Sequence, residues 1–250
     1  MKISQFNPVA RILALMLFTT PLMLSVDIVS AGVALAFCLI VTPVLGVSYR
    51  QLLARSWPVL LITPISGLSM ALYGRPEGTE YFSWFAIHIT DHSLQLAAAI
   101  MVRVLAIALP AILLLGKLDP TEVGDALTQK LHFPQRFVIG AVAGGRLVSL
   151  FRRDWETMRR SRRIRGIDAQ GKLRMVVTMT FGLLVLALRR GAKLATAMEA
   201  RGFGRFPTRT HARVSVWHTR DTVLLLCCSL ASASAIIVAI YLGSYRFLGA

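Results

Sequence analysis

Two basic stretches, RRDWETMRRSRRIRG over Arg152–Gly166 and LRRGAKLATAMEARG over Leu188–Gly202, interrupt a chain otherwise dominated by long uncharged runs. Both have helical character, and both end in Arg-Gly. A glycine just after the last helical residue can take the left-handed conformation that closes a helix C-terminus, so each stretch is predicted to stop there and to present its last arginine from a rigid end. Arg165 and Arg201 would each offer a planar guanidinium able to hold a carboxylate through two hydrogen bonds. The plainer alternative is a helix stop with a cation well placed on the C-terminal dipole.

Around this block the composition is that of an integral membrane protein. The 250 residues are 55% hydrophobic, with a mean hydropathy of +0.63, against about 45–50% apolar residues in ordinary soluble domains. The net charge of +16 is concentrated rather than spread, so it marks segments that face the cytoplasm. Arginines there are worth about 1 kcal/mol each beside an anionic leaflet. The block lacks the interleaved aromatic side chains on which bases would stack, which argues against a nucleic-acid partner. Cys38, Cys227 and Cys228 lie in apolar runs without metal-ligand spacing and read as small lipid-facing or core residues.

A helix needs about 20 apolar residues to cross a bilayer core. Val9–Val26, Ile28–Val47, a shorter Trp57–Leu72 with Pro58 and Pro64, His92–Gly116 and Asp221–Gly243 meet or approach that length. The fold class expected is therefore an all-α integral membrane protein with about five transmembrane helices and two long cytoplasmic helices. Arg11, Arg50 and Arg55 place the N-terminus and the second loop in the cytoplasm, and the acidic loop Tyr73–Asp91, with Tyr81 and Trp84 at the interface, lies outside. So does the tail, Ser244–Ala250. Three segments follow: membrane helices over 1–116, the basic region over 117–213, and a last span with a short tail over 214–250.

Within the basic region, Asp119-Pro120-Thr121-Glu122 opens a short helix running to about Leu131. A long helix follows, from Pro134 to about Arg165. Phe137, Ala141, Gly144, Val148, Phe151, Trp155 and Met158 recur on one apolar face of it. Met175–Leu188, bounded by arginines and short for a span, reads as a helix in or just under the cytoplasmic membrane surface. Gly140 and Gly144, and likewise Gly191 and Ala195, have the four-residue spacing of small residues that permits close helix packing. Arg103, near the middle of the fourth span, should face protein rather than lipid.

Catalytic signatures are missing. Gly140–Arg146 resembles a phosphate loop only superficially, since it lacks the Lys-Ser/Thr ending and a preceding strand. His88 and His92 share a helical spacing but have no third metal ligand near them in sequence. No metal site, no cofactor on this chain and no enzyme activity are expected. A self-contained channel or transporter remains the alternative to a docking subunit, and it would need more intramembrane polar residues than Arg103 and a few serines and threonines.

Pro134 before a long helix, Arg146, Asp154, the run Arg162-Arg163-Ile164-Arg165-Gly166-Ile167-Asp168 and the later Ala197-Met198-Glu199-Ala200-Arg201-Gly202-Phe203-Gly204 closely resemble the transmembrane T component of energy-coupling factor transporters. The resemblance extends over about Val102–Gly204. It implies a multi-pass plasma-membrane subunit that is not an enzyme. By that resemblance two coupling helices would end in the motifs Ile164-Arg165-Gly166 and Ala200-Arg201-Gly202. Each motif would dock on one of two ATP-binding cassette subunits, which carry the ATP and Mg, while a small membrane S component binds the vitamin or metal ion. Gly140, Gly144, Gly191 and Ala195 would let the coupling helices cross and slide. Ile164 stands where the family pattern has a small residue, which leaves Arg163 as the alternative anchor.

Overall fold

A computed structural model describes residues 3–25, 27–73, 80–84, 87–116, 118–166, 171–205, 210–211 and 213–243. They form eight α-helices and one β-hairpin: α1 (Pro8–Leu24), α2 (Ile28–Val44), α3 (Tyr49–Tyr73), β1 (Glu80–Trp84), β2 (Ile87–Thr90), α4 (Asp91–Leu115), α5 (Pro120–Lys130), α6 (Gln135–Ile164), α7 (Lys172–Ala200) and α8 (Thr219–Tyr241). The protein is an all-α membrane protein, and its two short antiparallel strands pair within the loop between α3 and α4. No strand was expected in that loop. Alternating apolar and polar residues at Ile87-His88-Ile89-Thr90 supply the strand period. Expectations for the Tyr81, Trp84, His88 and His92 side chains, and for Ser244–Ala250, lie outside the described residues.

Among the described residues four helices are long and apolar enough to cross a membrane: α3, Ser93–Leu115 of α4, Leu173–Ala200 of α7, and α8. The five expected spans correspond to α1–α4 and α8, but α1 and α2 are only 17 residues each, roughly 26 Å at 1.5 Å per residue. Two boundaries differ from the sequence reading. α3 begins at Tyr49 rather than Trp57, since Arg50, Gln51 and Arg55 are good helix formers and a charge does not end a helix. α7 is one helix of 29 residues instead of a short apolar segment, for the same reason, and it meets the length and composition of a span.

The chain divides into two compact units, one of residues 1–119 with 216–250 and the other of residues 120–215. In the first, α1 packs on α8, α2 on α4 and α8, and α3 on α4. Small residues bring these helices together: Ala10 and Ala14 on α1, Ala31 and Ala34 on α2, Ala106 on α4, and Ala231, Ala235 and Ala239 on α8 are all buried. Little hydrophobic force acts between helices in lipid, so close packing of this kind supplies much of the association. Phe18 and Phe37 stack at 6.1 Å within the same core.

Arg103 faces protein, as its position demands. Its Nη2 donates to the carbonyls of Leu22 and Met23, each at 2.6 Å, at the C-terminal end of α1 where those oxygens have no intrahelical partner. Beyond that end Asp27 caps α2, accepting from the backbone N of Ser30 at 2.8 Å and from the hydroxyls of Ser25 and Ser30. The arginine therefore closes a helix end.

Candidate functional site

Both Arg-Gly motifs lie in the second unit, which contains α5, α6 and α7. α5 is bolted to α6 by a close approach: a Cβ at Gly124 would stand 2.5 Å from Cγ2 of Val142, and Nη2 of Arg146 donates to Oγ1 of Thr121 at 3.0 Å. α6 and α7 run antiparallel. Nη2 of Arg190 donates to Oδ1 of Asp154 at 3.0 Å, and its Nη1 donates to Oδ2, giving a bidentate ion pair. A Cβ at Gly182 would meet Sδ of Met158 at 3.3 Å, and Nη1 of Arg162 donates to Oγ1 of Thr178 at 2.6 Å. At the other end, a Cβ at Gly204 would stand 3.4 Å from Nη2 of Arg136. Residue numbers rise along α6 as they fall along α7, so Arg165 and Arg201 sit at opposite ends of the pair, on the order of 40 Å apart for a helix of this length.

Each helix ends as its glycine requires. Arg165 and Arg201 are the C-caps, with φ −82° and −84°, and Gly166 and Gly202 follow at φ +67° and +80°. The end of α7 has both bonds of a Schellman motif, from the backbone N of Phe203 to the carbonyl of Met198 at 3.0 Å and from Gly202 N to Glu199 O at 2.8 Å. At the end of α6, Gly166 N donates to Arg163 O at 3.1 Å. Ile167 and Asp168 lie outside the described residues. A Cβ on either glycine would meet nothing within 4 Å, so backbone conformation, and not crowding, calls for glycine at both sites. Arg165 and Arg201 are exposed. Ile164 is 87% exposed, an apolar side chain held in the open beside the arginine. Ala200 is exposed too, and the segment Glu199–Arg205 borders an open depression. Arg163 lies one residue inside α6, and the left-handed glycine follows Arg165.

The small residues singled out for packing behave differently. Gly140, Gly144 and Gly191 face open space where a Cβ would be, and Ala195 is exposed. Among the described residues they are not the contacts between α6 and α7. The contact falls instead at Gly182 with Met158, because the antiparallel register sets which residues oppose each other. Much of the apolar face of α6 is likewise uncovered, with Phe137 78% and Val148 64% exposed. Leu173, Val177, Phe181, Leu184 and Leu188 form an exposed stripe at helical spacing on α7.

Residues 2–212 match the family CbiQ, described as cobalt transport protein. Relatives carrying the name energy-coupling factor transporter transmembrane protein EcfT include one from Exiguobacterium sibiricum, 27% identical over 71% of this chain and 72% of its own length. One from Streptococcus equi is 24% identical over 98% of this chain and 91% of its own. A third, from Lacticaseibacillus paracasei, is 30% identical over 58% and 60%. The chain belongs to the T component family of energy-coupling factor transporters. It is thus a transmembrane component of a transporter.

In this T component the sequence pointed to both helix ends but missed what braces them. Asp154 stood out in the sequence, whereas its partner Arg190 is one of many arginines and carries no local mark. Met158 stood out only as one residue of an apolar helix face, and nothing in the sequence marked Gly182 as its partner. Among the described residues no group of three or more His, Cys, Asp or Glu side chains is placed to hold a metal ion.

Proposed function

We propose that this chain is the coupling subunit of an energy-coupling factor importer, with α6 and α7 as its coupling helices. The observation that carries this reading is the pair of exposed arginines, each the C-cap before a left-handed glycine, at opposite ends of one antiparallel helix pair. Two rigid cationic ends on the order of 40 Å apart suit two copies of one partner better than one small ligand. Each guanidinium would enter an acidic groove of an ATP-binding cassette subunit and hold a carboxylate there through two charge-assisted hydrogen bonds. ATP and Mg would be bound on those partners, and ATP would be hydrolysed there.

The substrate would be a vitamin or metal ion, bound by a separate small membrane S component. The exposed apolar stripe of α7 and the open glycine face of α6 support this reading, since large uncovered apolar surfaces mark contacts with lipid or with another membrane protein. Closure of the ATPases would shift the two helices and move the S component. The positive-inside bias of Arg11, Arg50 and Arg55 supports a cytoplasmic N-terminus and cytoplasmic coupling helices in the plasma membrane.

Copurification in mild detergent tests the proposal with wild type, Arg165→Ala, Arg201→Ala and the double variant. Each lost charge-assisted contact should weaken docking by roughly 1.5–3 kcal/mol, so wild type should retain ATP-binding cassette subunits and the double variant should release them. A double variant that holds the ATPases as firmly as wild type would refute the assignment of these two arginines.

A further inference from the structure

The return chain from α7 to α8 is held at two neighbouring places by side chains that imitate a strand partner. In the second unit Gln129, near the end of α5, donates from Nε2 to the carbonyl of Arg213 at 2.7 Å, and its Oε1 accepts from the backbone N of Ser215 at 2.8 Å. One side-chain amide thus satisfies the backbone on both sides of Val214. Burial does not hold the segment there, because Val214 is 76% exposed. In the first unit Asn7 donates from Nδ2 to Val216 O at 3.1 Å. Its own backbone N donates to Oδ1 of Asp221 at 2.8 Å, and the backbone N of His218 donates to Oδ2 of the same carboxylate at 2.8 Å. Asp221 is fully buried. Through these bonds it joins the start of α8 to the start of α1, whose N-cap is Asn7.

Ser215 is therefore fixed to α5, and Val216, the next residue, is fixed to the N-terminal end of α1. The division between the two compact units falls at this peptide bond. A loop with free residues would absorb a displacement of α5, but here no unpinned residue stands between the two attachments. We propose that Gln129 is a positioning residue for transport: it draws the chain taut, so that movement of α5 and of α6, to which α5 is bolted, is carried along Arg213–His218 into the first turns of α8 and α1. The proposal rests on α6 being a coupling helix, but the link itself can be tested without that premise.

Hydrogen exchange on the whole purified chain comes first, comparing wild type with Gln129→Ala and Gln129→Glu. Loss of the Gln129 bonds should speed exchange of the Ser215 amide about five-fold or more, the factor matching one hydrogen bond of ~1 kcal/mol. Exchange at the His218 amide, whose own acceptor Asp221 is untouched, should rise as well if the link is taut. Gln129→Glu keeps the acceptor for Ser215 N and loses the donor to Arg213 O, so it should fall between the other two. In the reconstituted transporter, Gln129→Ala should bind ATPases and hydrolyse ATP as wild type does while moving several-fold less substrate per ATP. Exchange at His218 that stays at the wild-type rate would overturn the proposal, and so would unchanged substrate uptake per ATP. Failure of wild type to bind any ATPase would overturn the coupling reading alone, and the exchange result would still decide the link.

Discussion

Replacing Gly202 by alanine isolates what the helix end contributes. The glycine sits at φ +80°, and a Cβ there meets nothing within 4 Å, so the substitution adds no clash and removes no side-chain contact. Its whole cost is that of placing an L-residue in the left-handed region, about 1–2 kcal/mol. If the end escapes that strain, it gives up the bonds from Phe203 N to Met198 O and from Gly202 N to Glu199 O, and Arg201 no longer projects in a fixed direction. A partner that needs the fixed end then sees only the fraction of molecules that retain it. An advantage of 1–2 kcal/mol to other conformations weakens apparent docking by at most about 5- to 30-fold. Asparagine tolerates the left-handed region better than alanine, so affinity should fall in the order glycine, asparagine, alanine. Titrating the detergent-solubilised variants with the purified ATPase subunits measures this, with Gly191→Ala as a helical control. Equal affinity of Gly202→Ala and wild type, or weaker binding by asparagine than by alanine, would refute the reasoning.

The Asp154–Arg190 pair is partly exposed, at 21% and 34%, so a double-mutant cycle on Asp154→Asn and Arg190→Gln in thermal unfolding should yield a coupling energy of about 1–2 kcal/mol, above that of surface pairs and below that of fully buried ones. Arg103→Met leaves the carbonyls of Leu22 and Met23 without their donor and should destabilise the first unit by about 1–3 kcal/mol, seen as a lower melting temperature in detergent, while Arg103→Lys should recover part of the loss. His132 has φ +52° in the turn between α5 and α6, so His132→Gly should relieve about 1 kcal/mol of backbone strain and raise the melting temperature slightly.

Local signals were legible wherever their physics is local. The Arg-Gly ends at Gly166 and Gly202, the start of α5 at Pro120 and the extent of α6 from Gln135 to Ile164 depend on neighbours within a turn or two, and the sequence contains all of those neighbours. The boundary of α7 was harder. Its apolar centre suggested a short element between arginines, but arginine, lysine and alanine propagate a helix well, and the hydrogen-bond ladder runs through to Ala200. The packing of the glycines was not legible at all. Small-residue spacing is equally good at Gly140 with Gly144 and at Gly191 with Ala195, yet the glycines set closely against side chains of other helices include Gly67 against Met101, Gly124 against Val142 and Gly182 against Met158.

By itself, then, the sequence determined the membrane class, most of the helices though not the extent of α3 or α7, and the two cationic ends, because hydropathy, helix propensity and the left-handed preference of glycine act residue by residue. Only the tertiary structure decided that Arg190 holds Asp154, that Arg103 closes the end of α1, and that Gln129 and Asn7 pin the chain on either side of one peptide bond. Each of those bonds joins residues 36 or more apart in the chain. Which of many similar arginines or amides finds a given partner depends on helix register and distance in space, and no short window of sequence carries either.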